Sequence, residues 1–219
     1  MRRGPTLKDI ARATGVHPST VSRALDPAMR ATLTADVIER VRAAADRLGY
    51  RPNRLAASLR TSRSMTVGVM IPDITNMIFP PILRGVESVL EPEGYAALVV
   101  STDNLPEREE RLMEVLRERG VDGIVHAGAQ RDAPLIRRVA AEGTPIVTVN
   151  RRVEGGRIPA VVNDEREGMR LLVEHVHRLG HRRIAHIAGP ATFSTGLARI
   201  EGLRAALAGL SLPEPAVAE

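Results

Sequence analysis

The chain has 219 residues, 43% hydrophobic and 26% charged, the balance of a folded globular protein and not of a disordered one. It contains no cysteine, which excludes disulfides, thiolate metal sites and cysteine nucleophiles and fits a reducing compartment. Its net charge of +5 is unevenly placed: residues 1–63 hold 13 Lys+Arg against 5 Asp+Glu, and the remainder 18 against 21. A basic head on a slightly acidic body points to a polyanion-binding segment joined to a differently employed domain. Arginine outnumbers lysine 30 to 1, which codon composition can explain, but that bias does not confine the charge excess to the front. The opening "MRRGPTLKDIARATG" lacks the continuous apolar stretch of a secretory signal. No run approaches the ~18 apolar residues of a membrane span. A cytoplasmic protein without membrane association is expected.

The first fifty residues predict three helices. Thr6 can cap the first, with Asp9 three residues on in a capping-box arrangement and Leu7, Ile10 and Ala11 as the apolar stripe, until Gly15 ends it. The second helix, "PSTVSRAL", starts at Pro18, where a missing N–H costs no intrahelical bond. Ser19, Ser22 and Arg23 share one face, while Val21, Ala24 and Leu25 turn toward a core. Thr34 can cap a third helix with Asp36 in its first turn and Val37, Val41, Ala44, Ala45 and Leu48 buried, up to Gly49. Two short helices joined by a tight glycine-containing turn and braced by a third make a helix-turn-helix unit over residues 1–50.

Residues 51–64, "RPNRLAASLRTSRS", read either as a polar linker or as a two-turn helix capped by Asn53, too short to stand alone in water. Leu55 and Leu59 lie four apart on one face, flanked by Arg54 and Arg60. From Met65 the pattern alternates between short apolar runs and amphipathic helices: "TVGVMIP", "YAALVVST", "VDGIVHAG", "TPIVTVN", "IPAVVND" and "RRIAHIAG" read as strands. The intervening segments, from "PPILRGVESVLEPEG" to "LARIEGLRAALAG", read as helices. That alternation predicts an α/β body with a parallel sheet and helices on both faces. Ligands of such sheets sit beyond the carboxyl ends of the strands, here "PDITNMIF", "STDN", "HAGAQ", "VNRR" and "GPATFST".

Catalytic and metal patterns are not found. His177 and His181 lie four apart in "EHVHRLGH", but Gly180 ends the helix between them, and cations near a helix C-terminus are favoured by its dipole. No H-E-x-x-H, G-x-S-x-G or phosphate-loop pattern occurs, and "GPATFSTG" lacks the lysine of such a loop. Neither an enzyme nor a cofactor is expected.

Taken together, "TLKDIARATGV", "STVSRAL", "RLGYRPNRLAASLRT", "VGVMIPDITNMIF", "RGVE" and "LGHRRIAHIAGP" make the chain resemble the LacI/GalR family of bacterial transcription regulators. The resemblance implies that "PSTVSRAL" is a recognition helix in the DNA major groove, with Pro18, Ser19 and Arg23 at base-contacting positions. Arg23 can pair bidentately with guanine, a contact of roughly 1–3 kcal/mol of discrimination. Thr20 and Ser22 match phosphate-contacting or helix-anchoring positions. Thr6 and His17 join this DNA-side set, though His17 stands where relatives carry a capping serine, a departure expected to weaken the cap. The linker resembles a hinge helix that pairs with its symmetry mate on DNA, with Asn53, Ala56, Leu59 and Arg60 as contacts and Leu59 as the minor-groove wedge.

For the body the resemblance implies a periplasmic-binding-protein-like core of two lobes, residues 65–163 and 164–219, around a small effector such as a sugar or nucleobase. Matching cleft positions are Ile78, Phe79, Asn150, Arg151, Phe193, Thr195 and Arg199. Asn150 replaces a common aspartate and Phe193 a usually polar residue. The family pattern needs roughly a hundred further residues, so the second lobe is expected to be incomplete after one strand and two helices, with apolar faces such as that of "IAHIAG" lacking neighbours. The function implied is an effector-responsive dimeric repressor on a pseudo-palindromic operator. The alternatives are an effector-insensitive DNA-binding fragment and a small-solute receptor.

Overall fold

The computed structural model describes residues 4–51 and 63–218. By its internal contacts the chain divides into two units, residues 1–62 and 63–219.

In the first unit, α1 (Leu7–Thr14), α2 (Pro18–Leu25) and α3 (Ala35–Leu48) close around Ile10, Val21, Ala24, Val41 and Ala44, each at most 1% exposed. Small alanines on the facing helices let three short elements pack closely around two valines and an isoleucine. The Asp9 carboxylate accepts from the Thr6 backbone N–H at 2.9 Å and from its hydroxyl at 2.7 Å, which anchors the start of α1. Gly15 and Gly49 adopt φ values of +70° and +66° to end α1 and α3, a conformation that a side chain resists. A 3-10 turn, Pro27–Thr32, joins α2 to α3 and was not anticipated. Two expectations need correction: Thr34 makes no side-chain cap bond, and Leu48, in the last turn of α3, is 38% exposed because the core ends one turn earlier.

The second unit begins with a parallel sheet in the order β2-β1-β3-β4-β5: β1 (Thr66–Ile71), β2 (Ala96–Ser101), β3 (Gly123–His126), β4 (Ile146–Val149) and β5 (Ala160–Val161). Successive residues of β1 face opposite ways. Met70 joins Met113, Leu116, Ile124 and Ile136 beneath α5 (Pro106–Glu118) and α6 (Pro134–Ala141). Val69 and Ile71 join Phe79 beneath α4 (Phe79–Leu90) on the other face. A Cβ on Gly68 would lie 2.7 Å from Leu116 Cδ1, so the glycine admits α5 closely against the sheet. Asp122 ties the entry of β1 to the start of β3, accepting from the Ser64 N–H (2.7 Å), the Ser64 hydroxyl (3.0 Å) and the Met65 N–H (3.1 Å).

Beyond β5, α7 (Glu165–Arg178) packs on α8 (Ser194–Gly209) through Met169, Val173, Leu203 and Leu207. A Cβ on Gly202 would stand 2.8 Å from the Arg166 Cα, so the close crossing of these helices depends on the missing side chain. The apolar face of "IAHIAG" lacks a covering layer as expected, with Ile187 87% exposed, but the strand itself gains an edge partner. β6 (Ala185–Ile187) pairs in parallel with β7 (Ala216–Ala218), a strand hidden from sequence reading by its brevity and the prolines of "LPEPAVA". Among the described residues no helix is long and apolar enough to cross a membrane.

Candidate nucleic-acid interface and ligand cavity

On α2 the sequence creates an exposed polar face over a buried apolar one. Val21 and Ala24 are fully buried, Ser19 is exposed, and Thr20, Ser22 and Arg23 are half-exposed. Pro18 occupies the first helical position. His17 does not weaken the cap as expected: its Nδ1 accepts from the Ser19 N–H at 3.2 Å and lies 2.8 Å from the Ser19 hydroxyl. An imidazole nitrogen thus takes the place of a serine oxygen. Arg23 Nε donates to the Ser19 carbonyl at 3.4 Å, one turn back, and no carboxylate pairs with the guanidinium among the described residues. The helix therefore carries hydroxyls and one uncompensated cation outward. Thr6 lies apart from this face in function, since its N–H and hydroxyl both go to Asp9. Asn53, Ala56, Leu59 and Arg60 lie outside the described residues.

In the second unit a cavity of about 500 Å³ opens at the carboxyl ends of β4 and β5, where these strands meet the first turns of α7 and α8. Asn150, Arg152, Asp164, Ser194 and Thr195 are among its walls. Asn150 sits at φ +65°, a left-handed turn that asparagine tolerates and that directs the chain out of β4. The Arg152 N–H donates to the Ser194 hydroxyl at 2.8 Å, fastening this turn to the start of α8. Arg131 adds a second fastening: it grips the Glu154 carboxylate through two bonds of 2.8 and 3.0 Å and donates to the Ala191 carbonyl at 2.9 Å. The charge-assisted bonds hold the Glu154 carboxyl below its ordinary pKa.

The Arg151 guanidinium lies 3.6 Å from the centroid of the Phe193 ring, a cation–π stack, and donates to the Gly128 carbonyl at 3.2 Å. Burial pushes this guanidinium below its ordinary pKa. Among the expected cleft residues, Asn150 and Thr195 thus line the cavity, and Arg151 and Phe193 stack beside it. Three do not fit the expectation. Phe79 is 1% exposed and packs with Val69, Ile71 and Ala127 because its large ring fills the space under α4, so it is a core residue. Ile78 is 43% exposed ahead of α4 and is not on the cavity wall. Arg199 is drawn away by Glu165, which it meets at 2.6 and 3.2 Å, because a carboxylate one helix away is its nearest strong acceptor.

Sequence reasoning placed Arg152 in the strand-end loop "VNRR" without naming it as a contact, and missed Glu154, Asp164, Glu165 and Glu201 on this wall. "VNDERE" follows the last strand of the sheet, so the strand-end rule that selected "VNRR" applies equally to it. Glu201 gave no such signal, since it lies two turns into α8. Among the described residues no group of three or more metal-ligating side chains occurs. His177, in the last turn of α7, and His181, beyond Gly180 at φ +96°, are separated by the helix end.

Both units are similar to known proteins. Residues 6–53 match the family described as bacterial regulatory proteins, lacI family, and residues 64–218 match periplasmic binding proteins and sugar binding domain of LacI family. A curated relative, an uncharacterized HTH-type transcriptional regulator from Streptomyces limosus, is 37% identical over 93% of this chain and 58% of its own length. The chain therefore spans little more than half of that relative. Among solved structures, a lac repressor dimer bound to operator and the anti-inducer ONPF is similar with a TM-score of 0.82 at 25% identity, covering 98% of this chain and 65% of that one. A CelR–cellobiose complex is similar with a TM-score of 0.63 at 28% identity, covering 98% and 66%. With both of its units matched in the family's order, the chain belongs to the LacI family of bacterial regulatory proteins.

Proposed function

We propose that the chain is a sequence-specific DNA-binding transcription regulator that acts as a homodimer on an inverted-repeat operator and is tuned by a small molecule. The observation that carries the reading is α2, a capped helix whose polar face offers Ser19, Ser22 and Arg23, which meets no carboxylate among the described residues, while its opposite face is locked into the core. Such a helix keeps its shape on entering the major groove, so Arg23 can reach guanine O6 and N7 while Thr20 and Ser22 meet phosphates. Two-fold pairing of chains would present two such helices and set the symmetry of the site. Asn53, Ala56, Leu59 and Arg60 are assigned to the hinge that joins this contact to the body. The cavity beside Asn150, Arg152 and Thr195 is assigned to the effector, whose occupancy would change DNA affinity by a coupling of about 1–3 kcal/mol.

Selection of bound duplexes from a random pool at low and moderate salt tests the DNA reading. An inverted repeat that persists at moderate salt is expected, with the Arg23→Ala chain losing preference for one guanine in each half-site. Binding that vanishes with salt and enriches no motif would reduce the head to phosphate attraction and remove the proposal.

A further inference from the structure

His126 ends β3 and is fully buried, a titratable group that neither the polar face of α2 nor the ligand cavity uses. By strand alternation it shares a face with Ile124, beside its sheet partner Met70, in the apolar layer beneath α5 and α6. A polar ring in such a layer costs stability unless its nitrogens are engaged. Nδ1 accepts from the Gly128 N–H at 3.3 Å, which places the proton of the neutral ring on Nε2. Nε2 lies 3.1 Å from Glu109 Oε1 on α5 but is not aligned for a hydrogen bond. Among the described residues Glu109 is the one charged group within ion-pair distance of the ring. The cations of α6, Arg137 and Arg138, pair with Asp132 and Glu110, and the ring's partner on β4 is the uncharged Thr148. A cavity of about 370 Å³ between α5 and α6 has Glu109 in its wall, so water reaches the carboxylate of this buried pair.

Gly128 links the ring to the start of α8. Its carbonyl accepts from Arg151 Nη1 at 3.2 Å, and the Arg151 guanidinium stacks on Phe193, the cap residue of that helix. A Cβ on Gly128 would stand 3.3 Å from the Pro72 Cβ, so the peptide is wedged on that side and has little slack. A second proton, taken from solvent, would set an N–H of the ring against the Gly128 N–H, while the positive ring is drawn toward Glu109. Both effects separate His126 from Gly128. We propose that His126 is a proton switch: its protonation releases the Gly128 N–H, shifts the carbonyl that holds Arg151, and loosens the Arg151–Phe193 stack. Acid thereby repositions the start of α8 against the five-stranded sheet, which gives the proton the role of a regulatory ligand. The inference does not depend on what fills the neighbouring cavity.

Amide and imidazole NMR of the 219-residue chain from about pH 8 to pH 5, the span in which imidazole ordinarily titrates, tests it. The Gly128, Phe193 and Ser194 amides are expected to move along one curve that shares its midpoint with the His126 ring signals. His126→Asn keeps an acceptor but does not titrate, and should abolish the curve at each of these amides. Arg151→Gln cuts the relay beyond Gly128 and should abolish the curve at Phe193 and Ser194 while Gly128 still moves. A flat Gly128 amide in the unaltered chain overturns the proposal, as does a curve that survives His126→Asn. So does a Gly128 curve that Phe193 does not share, or one that Phe193 keeps in Arg151→Gln. Should His126→Asn fail to fold, the unaltered chain and Arg151→Gln decide by the same criteria.

Discussion

The two sheets of the second unit are built from similar apolar strands and meet opposite fates. In β1, Val69, Met70 and Ile71 are at most 1% exposed, because α4 covers one face of the five-stranded sheet and α5 and α6 the other. In β6, Ile187 is 87% exposed and β7 leaves Val217 43% exposed, although the two strands pair in register. Pairing satisfies backbone hydrogen bonds, but only a covering layer removes side chains from water, and the larger share of the hydrophobic free energy comes from that second step. An apolar strand is thus a demand for neighbours and becomes a core only when they arrive.

Truncating the covered sheet should have the largest effect. Leu116→Ala empties the space between α5 and Gly68 and is expected to cost about 2–5 kcal/mol, read as a lower urea midpoint for the second unit. Gly202→Ala intrudes on Arg166 where α7 crosses α8 and should cost roughly 1–3 kcal/mol; a neutral result would mean that these helices move apart freely. In the first unit His17→Ala removes the imidazole cap and should lower its stability by about 1 kcal/mol, with His17→Ser restoring most of it. At the exposed sheet Ile187→Ala should change stability by less than about 0.5 kcal/mol, and a loss as large as that of Leu116→Ala would erase the contrast between the two sheets.

Acid sharpens the comparison further. Burial alone would raise the Asp122 pKa, but the hydrogen bonds from Ser64 and Met65 outweigh it and hold this carboxyl below its ordinary range. A folded pKa below the unfolded value near roughly 3.9 gives stability that is present above that value and disappears as pH falls through the folded one. Stability curves between pH 5 and pH 2, in rough bounds, should therefore lose part of their acid slope in Asp122→Asn. An unchanged slope would show that this staple does not titrate with folding.

Much of this architecture was legible because it rests on local rules. The capping pair Thr6–Asp9, Pro18 at the head of α2, and Gly15 and Gly49 at helix ends are each decided within a few residues, and the structure places them as read. The alternation of apolar runs and amphipathic helices likewise announced the parallel sheet. The site was legible only as a set of loops. The strand-end rule gave the loops, and the family resemblance picked Asn150, Arg151, Phe193 and Thr195 within them, whereas the same resemblance picked Phe79, a residue that the core had claimed.

What the amino-acid order determined by itself was the identity of the elements and the polarity of their faces, since both depend on spacing along one chain. Tertiary structure alone decided which charges remain free, because that depends on partners distant in sequence: Arg131 with Glu154, Arg199 with Glu165, Arg166 with Glu201, and none for Arg151 or Arg152 among the described residues. It also decided that β7 pairs with β6 and that Ile187 faces water, since a strand of three residues carries too little local signal to declare its neighbour.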